Sequence, residues 1–401
     1  RGFAVAGILT ATGFGYYATL LAVGVFLAPL FGFGQIEVTR KVYPRLFVDG
    51  SAHLIPSHSD SIAVRLAHRI AGLVGMVMLV CVLAGETRFA LAGLAVGLVA
   101  FGNGWCSVLA SALRASAKVQ PLGEATLARS ALAASLAVGG AYLHGMEGAI
   151  AGEALGALLG GFVLRIRLRR MSGPAPETAT AAAPSEEFST AQISWDGMRI
   201  FGAALAISVP VYLSRPVVGL FYSPEELGTF SFLMLFIMVS VTIFGVTDQV
   251  IGPGLVRGQR QNNPFGKQIA YLFKVSGALA VLVGCGVAIA FFVLQFEPLA
   301  AFAQKYQYDL ATIVPIVILA TAQVTSTFDW MLQAHDRERI VLNAAILGLS
   351  LFVVGTVAAY SMNFGLAGFI WVMAVARLAQ LVFQIGAILQ LGRSVTCRVA
   401  G

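Results

Sequence analysis

Apolar residues along this chain neither alternate nor keep to a single stripe. They run on for whole helix lengths, then give way to short polar stretches. Eleven such runs fall near 15–36, 66–84, 89–112, 125–143, 147–164, 199–221, 228–251, 269–294, 309–333, 340–360 and 364–390. A membrane-spanning helix needs roughly 20 apolar residues, and these runs meet that length. The run 147–164 is short, which Arg165 and Arg167 at its end can offset by snorkelling. The pattern predicts an all-α polytopic membrane protein.

The runs also repeat. Gly15 opens one that reaches Phe31-Gly32, and Gly228 opens one that reaches Phe244-Gly245, 213 positions later. Leu113-Arg114-Ala115-Ser116-Ala117-Lys118 matches Leu332-Gln333-Ala334-His335-Asp336-Arg337 at an offset of 219. Gly145-x-x-Gly148 matches Gly365-x-x-Gly368 at 220, each just after an apolar run. A slowly drifting offset is what loop insertions do to a duplicated unit. Two parallel six-helix repeats, related by an axis along the membrane normal, are a transporter architecture with the site between the halves. Shifting 199–221 back by 213 leaves most of its partner before residue 1, so residues 1–9 read as the outer end of a truncated first helix.

Composition agrees with burial in lipid: 58% hydrophobic residues, 11% charged and a mean hydropathy of +0.83. The net charge of +7 would suit nucleic acid, but its placement does not. With a cytoplasmic amino-terminal side, basic residues gather in the inner loops. These are Arg40 to Arg69, Arg114 to Arg129, Arg165 to Arg199, Arg257 to Lys274, Arg337 and Arg339, and Arg393 and Arg398; Arg88 and Lys305 fall outside. This is the positive-inside signal, and it puts both termini in the cytoplasm with no nucleic-acid partner. Cys81, Cys106, Cys285 and Cys397 show neither metal-ligand nor CxxC spacing, so no metal or cofactor is expected.

The one long polar, low-complexity stretch is 171–194, with Ser172-Gly173-Pro174-Ala175-Pro176 and an Ala/Thr run. It suits a linker between an N-terminal lobe, 1–170, and a C-terminal lobe, 195–401. The segment 41–61 reads as a cytoplasmic loop. Gly148, Gly152, Gly156 and Gly160, four apart, line one helix face and favour close packing by a neighbour.

Ionisable residues inside apolar runs are costly, and so are the functional candidates. Arg377 sits near the centre of 364–390, where the repeat has Ala157. It suits bidentate grip of a phosphate, or a structural pair with an acid on another helix. Arg215, beside Pro216, suits an anionic head group in the outer half or snorkelling outward, with Tyr212 one turn away. Glu153, Asp248 and Asp329 are the acids within the runs and the candidates for proton or sodium coupling; Glu153 is equally suited to a fixed pair with Arg377 or Arg215. Asn103, Gln323, Thr325 and Gln384 suit hydrogen bonds between helices. No phosphate-binding Gly-Lys-Ser/Thr loop, His-Glu-x-x-His or Ser/His/Asp set is present, so no catalysis and no ATP hydrolysis are expected.

Ala11-Thr12-Gly13-Phe14-Gly15-Tyr16-Tyr17 and Ser223-Pro224-Glu225-Glu226-Leu227-Gly228-Thr229-Phe230 resemble the Gly-Pro-Glu-x-Tyr-Gly-x-Tyr/Phe turn of the Wzx-like polysaccharide and O-antigen flippases. These belong to the multidrug/oligosaccharidyl-lipid/polysaccharide (MOP) exporter superfamily. Gly145-Met-Glu-Gly148-Ala-Ile-Ala-Gly152, Gly365-Leu-Ala-Gly368 and Pro253 look like the same family, although the turn's Gly-Pro is absent at Ala11-Thr12. The resemblance implies two lobes around a V-shaped cavity that opens alternately inward and outward in a bacterial inner membrane. Its implied cargo is an undecaprenyl-diphosphate-linked oligosaccharide. Membrane lipids, a polysaccharide polymerase and a chain-length regulator are its implied partners.

A cation-coupled exporter of drugs or metabolites, of the MATE type in the same superfamily, is the competing reading, and Glu153 keeps it open. A major facilitator transporter would carry a Gly-x-x-x-Asp-Arg-x-Gly-type loop, where this chain reads Gly34-Gln-Ile-Glu-Val-Thr-Arg40-Lys41. A membrane-embedded glycan ligase or polymerase would carry a large outer loop, which is absent here.

Overall fold

The computed structural model describes residues 1–36, 39, 43, 46, 51–115, 119–172, 195–260, 265–297, 299–335 and 337–399. All but the first two residues of the expected linker, 171–194, lie outside them, as do Arg40 and, within the expected loop 41–61, Lys41 and Arg45. Among the described residues there are no strands, and ten helices are long and apolar enough to cross a membrane. Large apolar side chains such as Leu79, Leu83, Phe89, Val354 and Val382 stand on the exposed surface. Only lipid receives such a surface at no cost, so this is a multi-pass membrane protein.

The helices are α1 (Gly2–Ile8), α2 (Ala11–Gly32), α3 (Ile55–Leu83), α4 (Thr87–Ala115), α5 (Val119–Ser172), α6 (Trp195–Ser208) and α7 (Ser214–Phe221). They continue as α8 (Pro224–Arg260), α9 (Phe265–Val293), α10 (Leu299–Ala303), α11 (Leu310–Ala322), α12 (Thr325–Ala334), α13 (Glu338–Ser361) and α14 (Gly365–Val399). They form two compact units: Arg1–Leu9 with Tyr16–Phe201, and Thr10–Gly15 with Gly202–Gly401.

In the first unit, α5 is too long to be one span. At about 1.5 Å per residue, its 54 residues would exceed twice the bilayer core. It folds back on itself at His144 and Gly145, where Gly145 takes φ 61°. The two arms run antiparallel, and the glycines at 148, 152, 156 and 160 sit at the crossing. A Cβ on Gly156 would stand 2.6 Å from the Cα of Ala133, and one on Gly160 2.5 Å from Cγ of Arg129. These two arms are the expected runs 125–143 and 147–164. Trp105, Cys106, Leu109 and Leu113 of α4 pack with Leu164 and Leu168 of α5 in an apolar core.

The second unit repeats the plan with different breaks. Gly365 turns between α13 and α14 at φ 63°, the counterpart of Gly145. The expected run 199–221 is not one regular helix. A π-helical segment, Val209–Leu213, separates α6 from α7, and Pro210 within it lacks the N–H that a regular ladder needs. The run 309–333 is also interrupted. Amides of Gln323, Val324, Ser326 and Thr327 all bond three residues back rather than four, which tightens the turn between α11 and α12.

The two repeats each begin a long helix on the same device. Leu9 and Tyr222 are extended, with ψ 157° and 171°. Next come Thr10 and Ser223. The Thr10 hydroxyl accepts from the Gly13 amide at 3.1 Å, and the Ser223 hydroxyl from the Glu226 amide at 3.2 Å. These are helix N-caps at the 213 offset. Glu226 completes a capping box by accepting from the Ser223 amide at 3.0 Å.

Candidate functional site

Glu153 is buried in the first unit, 3% exposed. Its partners come from two helices other than its own, α1's N-cap and α2. The Arg1 guanidinium stands 2.8 Å from its Oε2, and the Tyr17 hydroxyl donates to Oε1 at 2.7 Å. A buried carboxylate with one cation and one hydroxyl donor is largely satisfied. In the same unit Arg129 donates to Asn103 Oδ1 at 2.8 Å, and Asn103 donates to the carbonyl of Val99.

The second unit gathers Asp248, Asp329 and Arg377 into one polar cluster. Asp248 at 4% exposure and Asp329 at 7% come from α8 and α12. The Thr327 hydroxyl donates to Asp248 Oδ1 at 2.7 Å, and the Gln384 amide donates to Asp329 Oδ1. Arg377 donates from Nη1 to Gln380 Oε1 at 2.7 Å and from Nη2 to Gln323 Oε1 at 3.2 Å. Its charge acts on Asp329, and these two hydrogen bonds go to neutral amides. Gln323 holds that position by donating to Leu319 O at 3.1 Å, in the break between α11 and α12.

Beside Arg377 lies a cavity of about 30 Å³, bordered by Pro210, Val211, Met234, Gln323 and Gln380. By this measure it has room for about two water molecules and for no sugar. The π-helical segment supplies one wall.

Arg215 stands apart from the cluster. It is 5% exposed on α7, and no hydrogen bond or ion pair to it occurs among the described residues. Its Nε is buried without a partner. Tyr212, half-buried and three positions earlier, is within electrostatic reach. A cation held in an apolar span without a counter-charge is expensive, and an anion is what relieves it.

Four partners escaped sequence reading: Arg1, Tyr17, Thr327 and Gln380. Gln380 carried a signal, because 377, 380 and 384 fall on one face of α14 at helical spacing. Nothing local marks Tyr17, whose partner is 136 positions away.

No family model and no curated protein matches the chain. Solved structures do. An inward-facing multidrug resistance MATE family transporter of the MOP superfamily superposes with a TM-score of 0.58 at 14% identity, covering 100% of this chain and 93% of that one. The eukaryotic MATE transporter AtDTX14 gives 0.63 at 14%, with 99% and 97% covered. The lipid II flippase MurJ, in an inward closed conformation, gives 0.62 at 12%, with 96% and 85% covered. The chain has the MATE/MOP transporter fold. At these identities the likeness speaks for the fold and leaves the cargo to the residues.

Proposed function

We propose that this protein is a flippase that moves an undecaprenyl-diphosphate-linked oligosaccharide from the inner to the outer leaflet, by alternating access, for cell-surface polysaccharide biosynthesis. In this reading it sits in a bacterial inner membrane with both termini cytoplasmic. A polysaccharide polymerase and a chain-length regulator act after it. The observation that supports an anionic cargo is Arg215, buried in a membrane span with no acid beside it. A diphosphate supplies the missing charge, and Tyr212 adds a polar contact. Arg377 is the second cationic contact: its planar fork is oriented by Gln323 and Gln380, although its charge is shared with Asp329.

Lipid tails need no protein cage, because they remain in the bilayer while the sugar and diphosphate cross. The test is translocation of a labelled diphosphate-linked glycolipid in proteoliposomes by Arg215→Ala and Arg215→Lys. Loss in the first and partial recovery in the second fit charge recognition; full activity in Arg215→Ala rejects it.

A second reading, a cation-coupled exporter of drugs or metabolites, is favoured by one feature. Asp248 and Asp329 are two buried carboxylates in one unit, and such groups attract cations.

A further inference from the structure

We infer that Met373 sets the second unit's specificity for an anion: it stands where the first unit has the acid Glu153, and so leaves the charge of Arg215 free for a ligand. What this does for transport rests on the flippase reading above; the effect on anion binding does not.

The duplication brings these positions into register. At the 213 offset, α1 (Gly2–Ile8) corresponds to 215–221, nearly all of α7, and Arg1 and Gly2 correspond to Ser214 and Arg215. Each unit thus carries an arginine at the start of this short helix. Glu153 lies eight residues after Gly145, and Met373 eight residues after the counterpart Gly365. Both side chains are buried, at 3% and 4% exposure. In the first unit the arginine and the acid meet, with Arg1 2.8 Å from Glu153. In the second unit a thioether replaces the carboxylate.

The second unit's own geometry agrees. Met373 borders the cavity beside Arg377, together with Pro210 and Val211. It lies one helical turn before Arg377 on α14. Arg215 comes one turn after Pro210 and Val211, on the side of α7 that is buried with Ser214 and Val218. These are the first and last spans of the unit's six, so they cross the membrane in opposite directions. One turn back along α14 and one turn on along α7 therefore lead to the same depth.

The exchange of acid for thioether decides the electrostatics. A carboxylate at 373 would pair with Arg215 as Glu153 does with Arg1, and would repel a second anion. A thioether carries no charge and accepts hydrogen bonds only weakly. Arg215 has no hydrogen bond or ion pair among the described residues, and its Nε is buried without a partner. Arg377 differs, since Gln323 and Gln380 orient it and Asp329 shares its charge. A planar fork without a counter-charge, inside a membrane span, suits a phosphate or diphosphate. Packing would accept many apolar residues at 373; an acid is what the position excludes.

The test uses the full chain, purified in detergent, at fixed pH and ionic strength. The probe is radiolabelled farnesyl diphosphate, a polyprenyl diphosphate without sugars. Wild type and Met373→Leu should bind it alike, at a single site. Met373→Glu should weaken binding by about tenfold or more, as expected when a charge-assisted hydrogen bond is lost. Met373→Gln has the same shape without the charge and should keep most of the binding. Thermal unfolding identifies the arginine concerned. Arg215→Met should raise the unfolding temperature of the wild type and lower that of Met373→Glu. If Met373→Glu does not fold, the reciprocal Glu153→Met frees Arg1 and should add a second farnesyl diphosphate site; an unchanged single site overturns the inference. It is also overturned if the wild type binds no farnesyl diphosphate, if Met373→Glu binds as the wild type does, or if Met373→Gln loses as much. An equal effect of Arg215→Met in both backgrounds overturns it too. A chain that shows the expected binding but moves no glycolipid keeps the inference and rejects the function proposed above.

Discussion

Gly145 and Gly365, 220 positions apart, both take a positive φ, 61° and 63°, at the same turn of the two repeats. Each reverses the chain between the last two helices of its unit. No space is short at either residue, since a Cβ would meet nothing within 4 Å. The backbone conformation alone demands glycine.

Gly145→Ala and Gly365→Ala should therefore each destabilise by about 1–2 kcal/mol, the cost of a side chain at positive φ. Reversible unfolding in mixed micelles measures this; a cost at only one of the two positions would contradict their equivalence.

The paired caps invite a similar comparison. Thr10→Ala and Ser223→Ala should each cost about 0.5–2 kcal/mol, by the usual cost of losing an N-cap. The two losses should be alike, because the second bond at Ser223, from its own backbone amide to Glu226, survives the substitution. Unfolding of single variants checks this.

Much of the architecture was legible in the chain because lipid imposes a simple rule: apolar runs of spanning length, closed by glycine or charge. The runs, their duplication and the Gly145 and Gly365 turns follow from that. The breaks at Val209–Leu213 and at Gln323 did not, because an apolar run reads the same whether its amides bond three, four or five residues back. Arg377 and the buried acids were visible as lone charges. Their partners were not, since glutamines pass for interhelical glue and the Arg1–Glu153 pair spans most of a unit. Sequence spacing carries no distance between helices.

Glu153 should behave as a strut. Tyr17→Phe and Glu153→Gln together should show a coupling energy of about 0.5–3 kcal/mol in a double-mutant cycle, the range for directly bonded groups. With Arg1 opposite it, Glu153→Gln should leave the response of transport to a pH gradient unchanged. A response lost in Glu153→Gln alone would make this carboxylate the coupling group instead.

Gln323→Leu removes the acceptor of Arg377 Nη2 and should destabilise by about 1–3 kcal/mol, as for a buried donor left without a partner. Gln323→Glu should recover much of that by pairing with the guanidinium directly. Thermal unfolding of the two variants decides; equal stability of Gln323→Leu and wild type would mean that Gln323 does not anchor Arg377.

The nature of the cargo is the central claim, and one comparison reaches it most directly. Wild-type protein in sealed proteoliposomes is offered a fluorescent undecaprenyl-diphosphate oligosaccharide, and separately a lipophilic organic cation under an imposed sodium or proton gradient. Outward exposure of the glycolipid, read by a membrane-impermeant quencher, should rise with protein content, and the cation should not be exported. Export of the cation without movement of the glycolipid would contradict the flippase reading and establish the exporter in its place.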